Sequence, residues 1–420
     1  MSLIGYAGES MAGLDLDFVR AQFPAFSEPS LADQPFFDNA GGSYACQQVI
    51  DRLTAYYHQN KVQPYHLHPV AQQAGALMDQ SHQRFADYLN VTADEVHFGP
   101  STSQNTYVLA QAFARWLKPG DEVIVTNQDH EANSGVWRRL ERSGVVIREW
   151  QVKPETGELD IGDLESLITD KTKLMAFPHC SNIVAHINPV ADICAKAKQA
   201  GVITIVDGVS YAGHGLPDVD ELGADIYLFS LYKTYGPHQG VMVVRQALAD
   251  TLGNQAHYFN EAYPHKWFVP AGPDHAQVAA AQGVLDYFDT LHAHHFTATT
   301  KPSAKAHQLQ SLFYAAEQPL LAQLLGFIND HPTLRLVGPA DARQRAATVS
   351  LLHQQHSPQV LAQSLVDQGI QCGAAHFYAV RLLEAMGIDP TTGVLRLSFV
   401  HYTSQTEMDQ LLQALDMASQ

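Results

Sequence analysis

Apolar runs that alternate with amphipathic stretches between residues 95 and 245 constrain the fold more than any other feature of this sequence. The stretches between the runs, such as SQNTYVLAQAFARWL (103–117), have apolar residues at the spacing of a helix with one buried face. Strands that alternate with helices in this way form a mainly parallel sheet covered by helices on both faces. We therefore predict an α/β fold with a mainly parallel seven-stranded sheet, with strands at 95–99, 121–127, 145–152, 173–179, 202–208, 226–229 and 241–244.

A second pattern follows a long helix predicted at 274–295. It indicates a small α+β C-terminal domain, onto which an N-terminal helix at 15–23 packs. The predicted large domain is 30–290, and the predicted small domain comprises 1–29 and 291–420 and closes over the substrate. The elements predicted in the second pattern are strands at 332–338, 347–353 and 393–400 and helices at 357–369 and 404–418.

Composition narrows the class of partner. Hydrophobic residues make up 46% of the chain and charged residues 16%, which suits a large folded core and excludes long disordered stretches. The net charge of −18 excludes a nucleic-acid partner, because such a surface cannot neutralise a row of phosphates. A small-molecule substrate is the expected partner.

Location follows from the cysteines and the N-terminus. Cys46, Cys180, Cys194 and Cys372 show no CxxC pairing and are interpreted as reduced thiols. The first residues lack the basic and apolar regions of a signal peptide, and no apolar run reaches membrane-spanning length. We therefore expect a cytoplasmic protein without a membrane partner.

Residues that follow the predicted strands mark the expected site, because ligands bind beyond the carboxyl ends of strands in an open parallel sheet. Hydroxyl residues follow the first strand, at the start of a helix. Either they cap the helix, or its free N–H groups bind an anion. The residues that follow the strands are Ser101, Thr102 and Ser103, then Asp129 and His130, then 179–182, then 207–210, and finally 230–233.

Three of these residues have a chemical interpretation beside an ordinary one. Lys233 lies between two apparently buried strands. It either reaches solvent or is held uncharged, and an uncharged lysine can form a Schiff base. Asp207 either caps a helix or pairs with a cationic ring nitrogen, and His130 is either a loop residue or a ring that stacks on another ring. Together with an anion cradle, these groups are what pyridoxal 5′-phosphate (PLP) requires.

The same segments resemble the class V aminotransferase-like PLP enzymes, in particular the branch of SufS-type cysteine desulfurases and selenocysteine lyases. The resemblance runs from about residue 16 to residue 415. It implies a PLP-dependent transferase of fold type I and a homodimer whose sites lie at the subunit interface. The matching segments are FFDNAGG (36–42), HFGPSTSQN (97–105), DHEAN (129–133), HCSN (179–182), VDGVSYAGHGLPDV (206–219), FSLYKTYGP (229–237) and LRLSFVHYTS (395–404).

The resemblance also implies roles for individual residues. Lys233 binds PLP covalently, Asp207 keeps the pyridine nitrogen protonated, and His130 stacks on the ring. Asn182 contacts the cofactor and also hydrogen bonds near the substrate carboxylate, which Arg396 binds. The remaining cofactor contacts are assigned to Ser101, Thr102, Ser103, Ser210, Ser230 and Tyr232.

This sequence departs from the family pattern at several positions. Tyr232 replaces the family's usual histidine, and Ser210 replaces a glutamine or histidine. Pro273 replaces a threonine that contacts the partner's phosphate. The segment GIQCGAAHFYA (369–379) places His376 where the desulfurases carry the catalytic cysteine. His376 is assigned to the substrate site as an acid–base group or a wall residue. Cys372 precedes Gly373 and is interpreted as structural rather than as a displaced persulfide carrier.

The functional hypothesis is a PLP-dependent enzyme that acts on a small amino acid by cleaving a Cβ–S or Cβ–Se bond, without the usual catalytic cysteine. The alternative is a class V aminotransferase, an epimerase or another lyase that acts at Cα. A regulator or scaffold without turnover is disfavoured because Lys233, Asp207 and Arg396 are all present. A sulfur-acceptor protein stays open as a partner but is disfavoured. The 22 histidines include no HExxH spacing, so no catalytic metal is expected.

Overall fold

A computed structural model describes residues 13–298 and 300–420, which contain two β-sheets. The larger sheet has seven strands in the order β1-β7-β6-β5-β4-β2-β3. Neighbouring strands from β6 to β3 in this order are parallel, and β7 is antiparallel to both β6 and β1. These strands are β1 Val96–Gly99, β2 Glu122–Thr126, β3 Val146–Trp150, β4 Thr172–Pro178, β5 Ile203–Asp207, β6 Ile226–Ser230 and β7 Gly240–Val244.

The central strands are buried because both faces of this sheet are covered. Val123 and Val125 of β2 pack into one apolar cluster, whereas Ile124 between them packs into the cluster on the opposite face. Side chains of a strand alternate between the two faces, so an unbroken apolar run indicates two covered faces. Trp137 anchors the first cluster and Phe177 the second.

Helices surround the two sheets. They are α1 Leu16–Arg20, α2 Gln47–Gln59, α3 Pro69–Leu89, α4 Thr102–Trp116, α5 Glu131–Arg138, α6 Leu164–Leu167, α7 Val190–Gln199, α8 Val219–Leu222, α9 Gln246–Leu252, α10 His275–Ala281, α11 Gly283–His295, α12 Pro302–Asp330, α13 Pro358–Val366, α14 Val380–Ala385 and α15 Gln405–Ala418. No helix of the described residues is both long and apolar enough to cross a membrane.

Two helical regions differ from the prediction. The helix predicted at 274–295 is two helices that meet at Gln282 and Gly283. A Cβ at Gly283 would lie 2.7 Å from the backbone of Val49, so α2 packs tightly against this junction. The sequence analysis assigned no element to α12, which is 29 residues long and contains Pro319 in its interior. A proline inside a helix removes a backbone hydrogen bond, and this makes such a helix hard to predict.

The smaller sheet is antiparallel, with the order β10-β11-β9-β8. Its strands and the helices α12, α13 and α15 share a separate apolar cluster. The predicted fold class, a mainly parallel α/β sheet followed by a small α+β part, is confirmed. The strands are β8 Leu334–Val337, β9 Thr348–His353, β10 Gly373–Ala375 and β11 Val394–Ser398.

The N-terminal segment joins the two parts. Arg20 donates to Glu407 at 2.7 Å, and the ring of Phe23 packs edge-on against Tyr287 and Tyr402. Residues 36–38, which the predicted boundary assigns to the larger domain, hydrogen bond with the smaller sheet. The domain boundaries stay a prediction, and residues 1–12 and Thr299 of the predicted small domain lie outside the described residues.

Candidate active site

A cavity of about 260 Å³ lies at the ends of the parallel strands. Asp207 ends β5, Ser230 ends β6, and the starts of α4 and α5 face the same space. All ten residues predicted to contact a cofactor line this cavity, whereas Arg396 and His376 lie outside its lining. The ten are Ser101, Thr102, Ser103, His130, Asn182, Asp207, Ser210, Ser230, Tyr232 and Lys233.

The start of α4 forms an anion cradle. Ser101 caps the helix and accepts a hydrogen bond from the backbone N–H of Gln104 at 3.2 Å. Thr102 donates to the carbonyl of Phe229 at 3.1 Å and lies 2.7 Å from the hydroxyl of Ser230. Because the first N–H groups of a helix have no intrahelical acceptor, they are available to a phosphate.

Gly240 of β7 makes the cradle possible. A Cβ at this position would lie 2.5 Å from the carbonyl carbon of Ser101 and 2.5 Å from the nitrogen of Thr102. Real contacts are never this short, so any larger residue would push the start of α4 away from the sheet. The absence of a side chain thus sets the position of the anion-binding N–H groups.

Lys233 lies in the 3₁₀ turn Leu231–Lys233 that follows β6. Burial, and then the positive charge of Arg396, lower the pKa of its amine to about 8. The negative charges of Asp207 and Asp38 act in the opposite direction but are weaker. A substantial fraction of the amine is therefore uncharged and nucleophilic near neutral pH.

Asp207 is 5% exposed and accepts a hydrogen bond from the N–H of Val209 at 2.8 Å. Burial raises the pKa of its carboxyl to about 6, although the hydrogen bond and the charge of Lys233 oppose this effect. At neutral pH the carboxylate is therefore largely ionised. A buried carboxylate at this place can hold a proton on a ring nitrogen.

His130 caps α5, and its Nδ1 accepts a hydrogen bond from the N–H of Ala132 at 3.1 Å. The proton of the neutral ring is therefore on Nε2. Burial, and then the charges of Lys233 and Arg396, lower the pKa of His130 to about 4. The cavity wall thus presents a flat, neutral ring that can stack on an aromatic cofactor.

Arg396 extends from β11 of the smaller sheet towards the cavity. Its guanidinium donates to the carbonyl of Asn182 at 3.3 Å and lies 3.5 Å from Asp38 and 3.7 Å from the centre of the Phe377 ring. Its Nε has no hydrogen-bond partner among the described residues. Burial lowers the pKa of this side chain to about 10. A buried cation with long, incomplete contacts is suited to bind a carboxylate.

The turn 376–378 closes one side of the site. Asn182 donates to the carbonyl of Phe377 at 2.8 Å, and the backbone N–H of Glu131 donates to the carbonyl of Tyr378 at 2.8 Å. Phe377 and Tyr378 have φ angles of 46° and 58°, in the left-handed region that non-glycine residues rarely adopt. Nδ1 of His376 accepts from the N–H of Tyr378 at 3.0 Å, so one ring nitrogen is used within the turn.

The mouth of the cavity is aromatic. Tyr232 stacks on His238 with 4.7 Å between ring centres, and Tyr378 lies 5.2 Å from His130. Behind Lys233, a second cavity of about 20 Å³ is lined by Ser210 and other residues. That volume holds roughly one water molecule, through which the short Ser210 side chain can act.

Cys180 and Asp129 also line the main cavity, although the sequence analysis gave neither of them a role. The thiol of Cys180 donates to the carbonyl of Ala185 at 3.2 Å, and burial raises its pKa to about 12. The sulfur of Cys372 lies 4.0 Å from the carbonyl of Ala362, beside the apolar cluster of the smaller sheet. Burial also raises the pKa of Cys372 to about 12, so both thiols are protonated near neutral pH.

The family pattern described as "Aminotransferase class-V" matches residues 35–411. This chain belongs to the class V aminotransferase family. An aminotransferase-like protein, FGM3, from Gibberella zeae is 33% identical over 97% of this chain and 99% of its own length. A cysteine desulfurase from Serratia proteamaculans is 28% identical over 95% of this chain and 97% of its own length.

Solved structures of similar proteins share the fold. The apo structure of a cysteine desulfurase from Thermococcus onnurineus has a TM-score of 0.86 at 23% identity and covers 99% of each chain. The cysteine desulfurase CsdA from Escherichia coli has a TM-score of 0.80 at 22% identity and covers 97% of this chain and 99% of its own. The predicted fold type I is therefore confirmed.

Family membership makes this protein a PLP-dependent enzyme and confirms the predicted cofactor. The residues of the cavity fit that cofactor. A helix start can hold the phosphate, an amine with a lowered pKa can form the covalent bond, and a buried carboxylate can meet the ring nitrogen. The oxygens Oδ1 of Asp129 and Asn182 are buried without a hydrogen-bond partner in the described part of the chain, as expected for a wall that awaits a polar ligand.

The lowered pKa of Lys233 predicts how the apoenzyme combines with PLP. Only the uncharged amine attacks the aldehyde, so the rate should rise with pH and level off above about 8. Replacing Arg396 by glutamine removes a positive charge and should move this midpoint upward. Stopped-flow absorbance with PLP checks both expectations. Borohydride-reducible PLP in Lys233→Ala would contradict the assignment of the lysine.

The contact at Gly240 predicts a loss of cofactor affinity in Gly240→Ala. Overpacking of about 1–3 kcal/mol against the start of α4 should weaken PLP binding roughly tenfold or more. Gly326→Ala is the matched control, since a Cβ at Gly326 of α12 meets nothing within 4 Å. Equilibrium titration of the apoenzymes gives the two dissociation constants. Equal affinity in Gly240→Ala and the wild type would exclude the proposed role of this contact.

Proposed function

We propose that this enzyme cleaves the Cβ–S or Cβ–Se bond of a small amino acid by elimination, without a cysteine persulfide. Sulfur or selenium then leaves as hydrosulfide or hydroselenide, and the unsaturated amino acid left behind hydrolyses to an oxo acid and ammonia. The placement of the thiols supports this proposal most directly. Cys372 packs beside the apolar cluster of the smaller sheet, and the turn beyond it carries His376, Phe377 and Tyr378. An imidazole cannot carry a persulfide, and a thiol whose pKa is raised to about 12 is a poor nucleophile.

The side chains of the cavity have separate tasks in this reaction. When bound, PLP supplies an electron sink that stabilises negative charge at Cα of the substrate. Arg396 binds the substrate carboxylate. Asn182 holds the turn 376–378 in place through its hydrogen bond to Phe377. The amine of Lys233 takes the proton from Cα, which its lowered pKa allows near neutral pH. Asp207 keeps a proton at the ring nitrogen, and His130 shields one face of the ring.

A second candidate is a reaction at Cα, such as transamination or epimerisation. The similarity to the aminotransferase-like protein of Gibberella zeae favours it, because that relative is 33% identical whereas the Serratia desulfurase is 28% identical. Such a reaction needs Lys233 as its base and does not need a thiol. The same cavity serves both reactions, so the fate of the substrate side chain separates them.

A homodimer fits the exposed apolar side chains. Leu67 is 94% exposed, Tyr258 is 87% exposed and Phe259 is 62% exposed, which is unusual for large apolar groups unless a second copy covers them.

Asp274, next to Pro273, caps α10 by accepting from Gln277 at 3.0 Å, so its carboxylate is engaged. The four free cysteines and the net charge of −18 suit a cytoplasmic enzyme with small-molecule substrates.

A panel of amino acids tests the proposed function. The holoenzyme is incubated with cysteine, selenocysteine, alanine and other amino acids, and sulfide, selenide, alanine, oxo acids and racemised products are measured. Release of sulfide or selenide supports bond cleavage at Cβ. Formation of an oxo acid or a racemised amino acid without sulfide supports the second candidate.

The cysteine substitutions test the absence of a persulfide. Cys372→Ser should keep most of its activity with any substrate of the wild type, because the thiol packs away from the cavity. Cys180→Ser is the matched variant, since this thiol lines the cavity but is also protonated near neutral pH. Alkylation after reaction with cysteine, followed by mass spectrometry, should find no persulfide. A persulfide on Cys372 with loss of activity in Cys372→Ser would restore the desulfurase relay.

Asp207→Ala should lower turnover far more than cofactor content. Without the carboxylate the ring nitrogen loses its proton and withdraws electrons poorly, so a loss of about a hundredfold or more is expected. Lys233 still forms the covalent bond, and bound PLP should remain. Absorbance gives the cofactor content, and the product assay gives the turnover. A variant with near-normal turnover would refute the role of Asp207.

A further inference from the structure

Asp129 is a buried acid whose position the neighbouring helix holds. It lies before α5, is 2% exposed and lines the main cavity. Its Oδ2 accepts a hydrogen bond from the amide of Asn133 at 2.9 Å. The side-chain oxygen of Asn133 accepts a hydrogen bond from the indole N–H of Trp137 at 3.1 Å. This chain holds the carboxyl group in place but leaves Oδ1 without a hydrogen-bond partner in the residues the structure describes.

Asp129 shares the cavity wall with Asp207, and two carboxylates in one dry pocket oppose each other's ionisation. Burial and the charge of Asp207 raise the pKa of Asp129 well above its usual range. The hydrogen bonds from Asn133 and from the N–H of His130, and the charge of Arg138, act in the opposite direction but are weaker.

The surrounding charges favour the anion on Asp207. Arg138 lies near Asp129 but is already paired with Glu149 at 2.5 Å, which reduces its effect on the cavity. Asp207 instead accepts from the N–H of Val209 and is attracted by Lys233. Asp129 therefore keeps its proton up to a higher pH than Asp207 does.

We propose that Asp129 is a positioning residue that keeps its proton in the assembled site and donates a hydrogen bond from Oδ1 into the cavity. Two acids line the cavity in the described part of the chain, Asp129 and Asp207. In this arrangement Asp207 is the one that carries a negative charge. A single carboxylate at a defined place keeps the ring nitrogen of PLP protonated. A second anion would instead stabilise the protonated form of the Lys233 nitrogen. This inference rests on PLP binding and not on which substrate bond is broken.

Infrared spectroscopy of the holoenzyme at pH 8 tests the protonation state directly. The carbonyl-stretch band of a protonated carboxylic acid should be present in the wild type and reduced in Asp129→Asn. A spectrum that is unchanged by the substitution would overturn the proposal. This measurement needs no substrate, so it is separate from the test of the proposed reaction.

The pH dependence of the visible band of bound PLP supplies the second test. Asp129→Asn replaces a neutral acid by a neutral amide that can also donate, so its midpoint and its affinity for PLP should match the wild type. Asp129→Leu keeps the branching and the number of side-chain heavy atoms but has no donor, and its affinity for PLP should fall several-fold. Asp207→Asn is the control for the loss of a real negative charge and should lower the midpoint.

Two results would contradict the proposal. A lowered midpoint in Asp129→Asn would show that Asp129 is ionised in the wild type. Unchanged PLP affinity in Asp129→Leu would show that its hydrogen bond has no positioning role. If Asp129→Leu does not fold, as judged by circular dichroism, the infrared comparison of the wild type and Asp129→Asn decides alone.

Discussion

Burial of the Lys233 amine beside the guanidinium of Arg396 is the interaction on which the rest of the site depends. Burial lowers the pKa of both groups, and the positive charge of Arg396 lowers the pKa of Lys233 further. The two groups come from different sheets, since Lys233 follows β6 and Arg396 lies on β11. The charge of Arg396 therefore reaches Lys233 because the smaller sheet packs against the larger one.

The carboxylates complete this balance of charge. Asp207 opposes the positive charges of the site, and the second acid on the wall, Asp129, retains its proton in the arrangement we propose. The turn 376–378 adds a steric limit, because its carbonyls are held by Asn182 and by the backbone of Glu131. In the reaction that we propose, this turn presents aromatic and imidazole groups to the substrate.

Much of the site follows from local order in the sequence. Residues after parallel strands meet at one sheet edge, and for this reason all ten predicted cofactor contacts line one cavity. Asp129 and Cys180 were placed at this edge without a role, because a side chain after a strand gives no sign of whether it lines a cavity or packs beneath it. The helix α12 was missed because Pro319 and its contacts on several sides remove the usual periodic signal. The break at Gly283 depends on the close approach of α2, which is distant in sequence.

The sequence by itself determined the fold class and the order of groups along the sheet edge, because apolar periodicity and strand-end chemistry are local properties of the chain. Only the tertiary structure decided the charge states. Burial and the charge of Arg396 from the other sheet lower the pKa of Lys233, and burial and the charge of Asp207 raise the pKa of Asp129. It also decided that Cys372 packs away from the cavity and that Gly240 admits the start of α4. These outcomes depend on distances between residues far apart in the chain, and electrostatic and steric effects are determined by such distances.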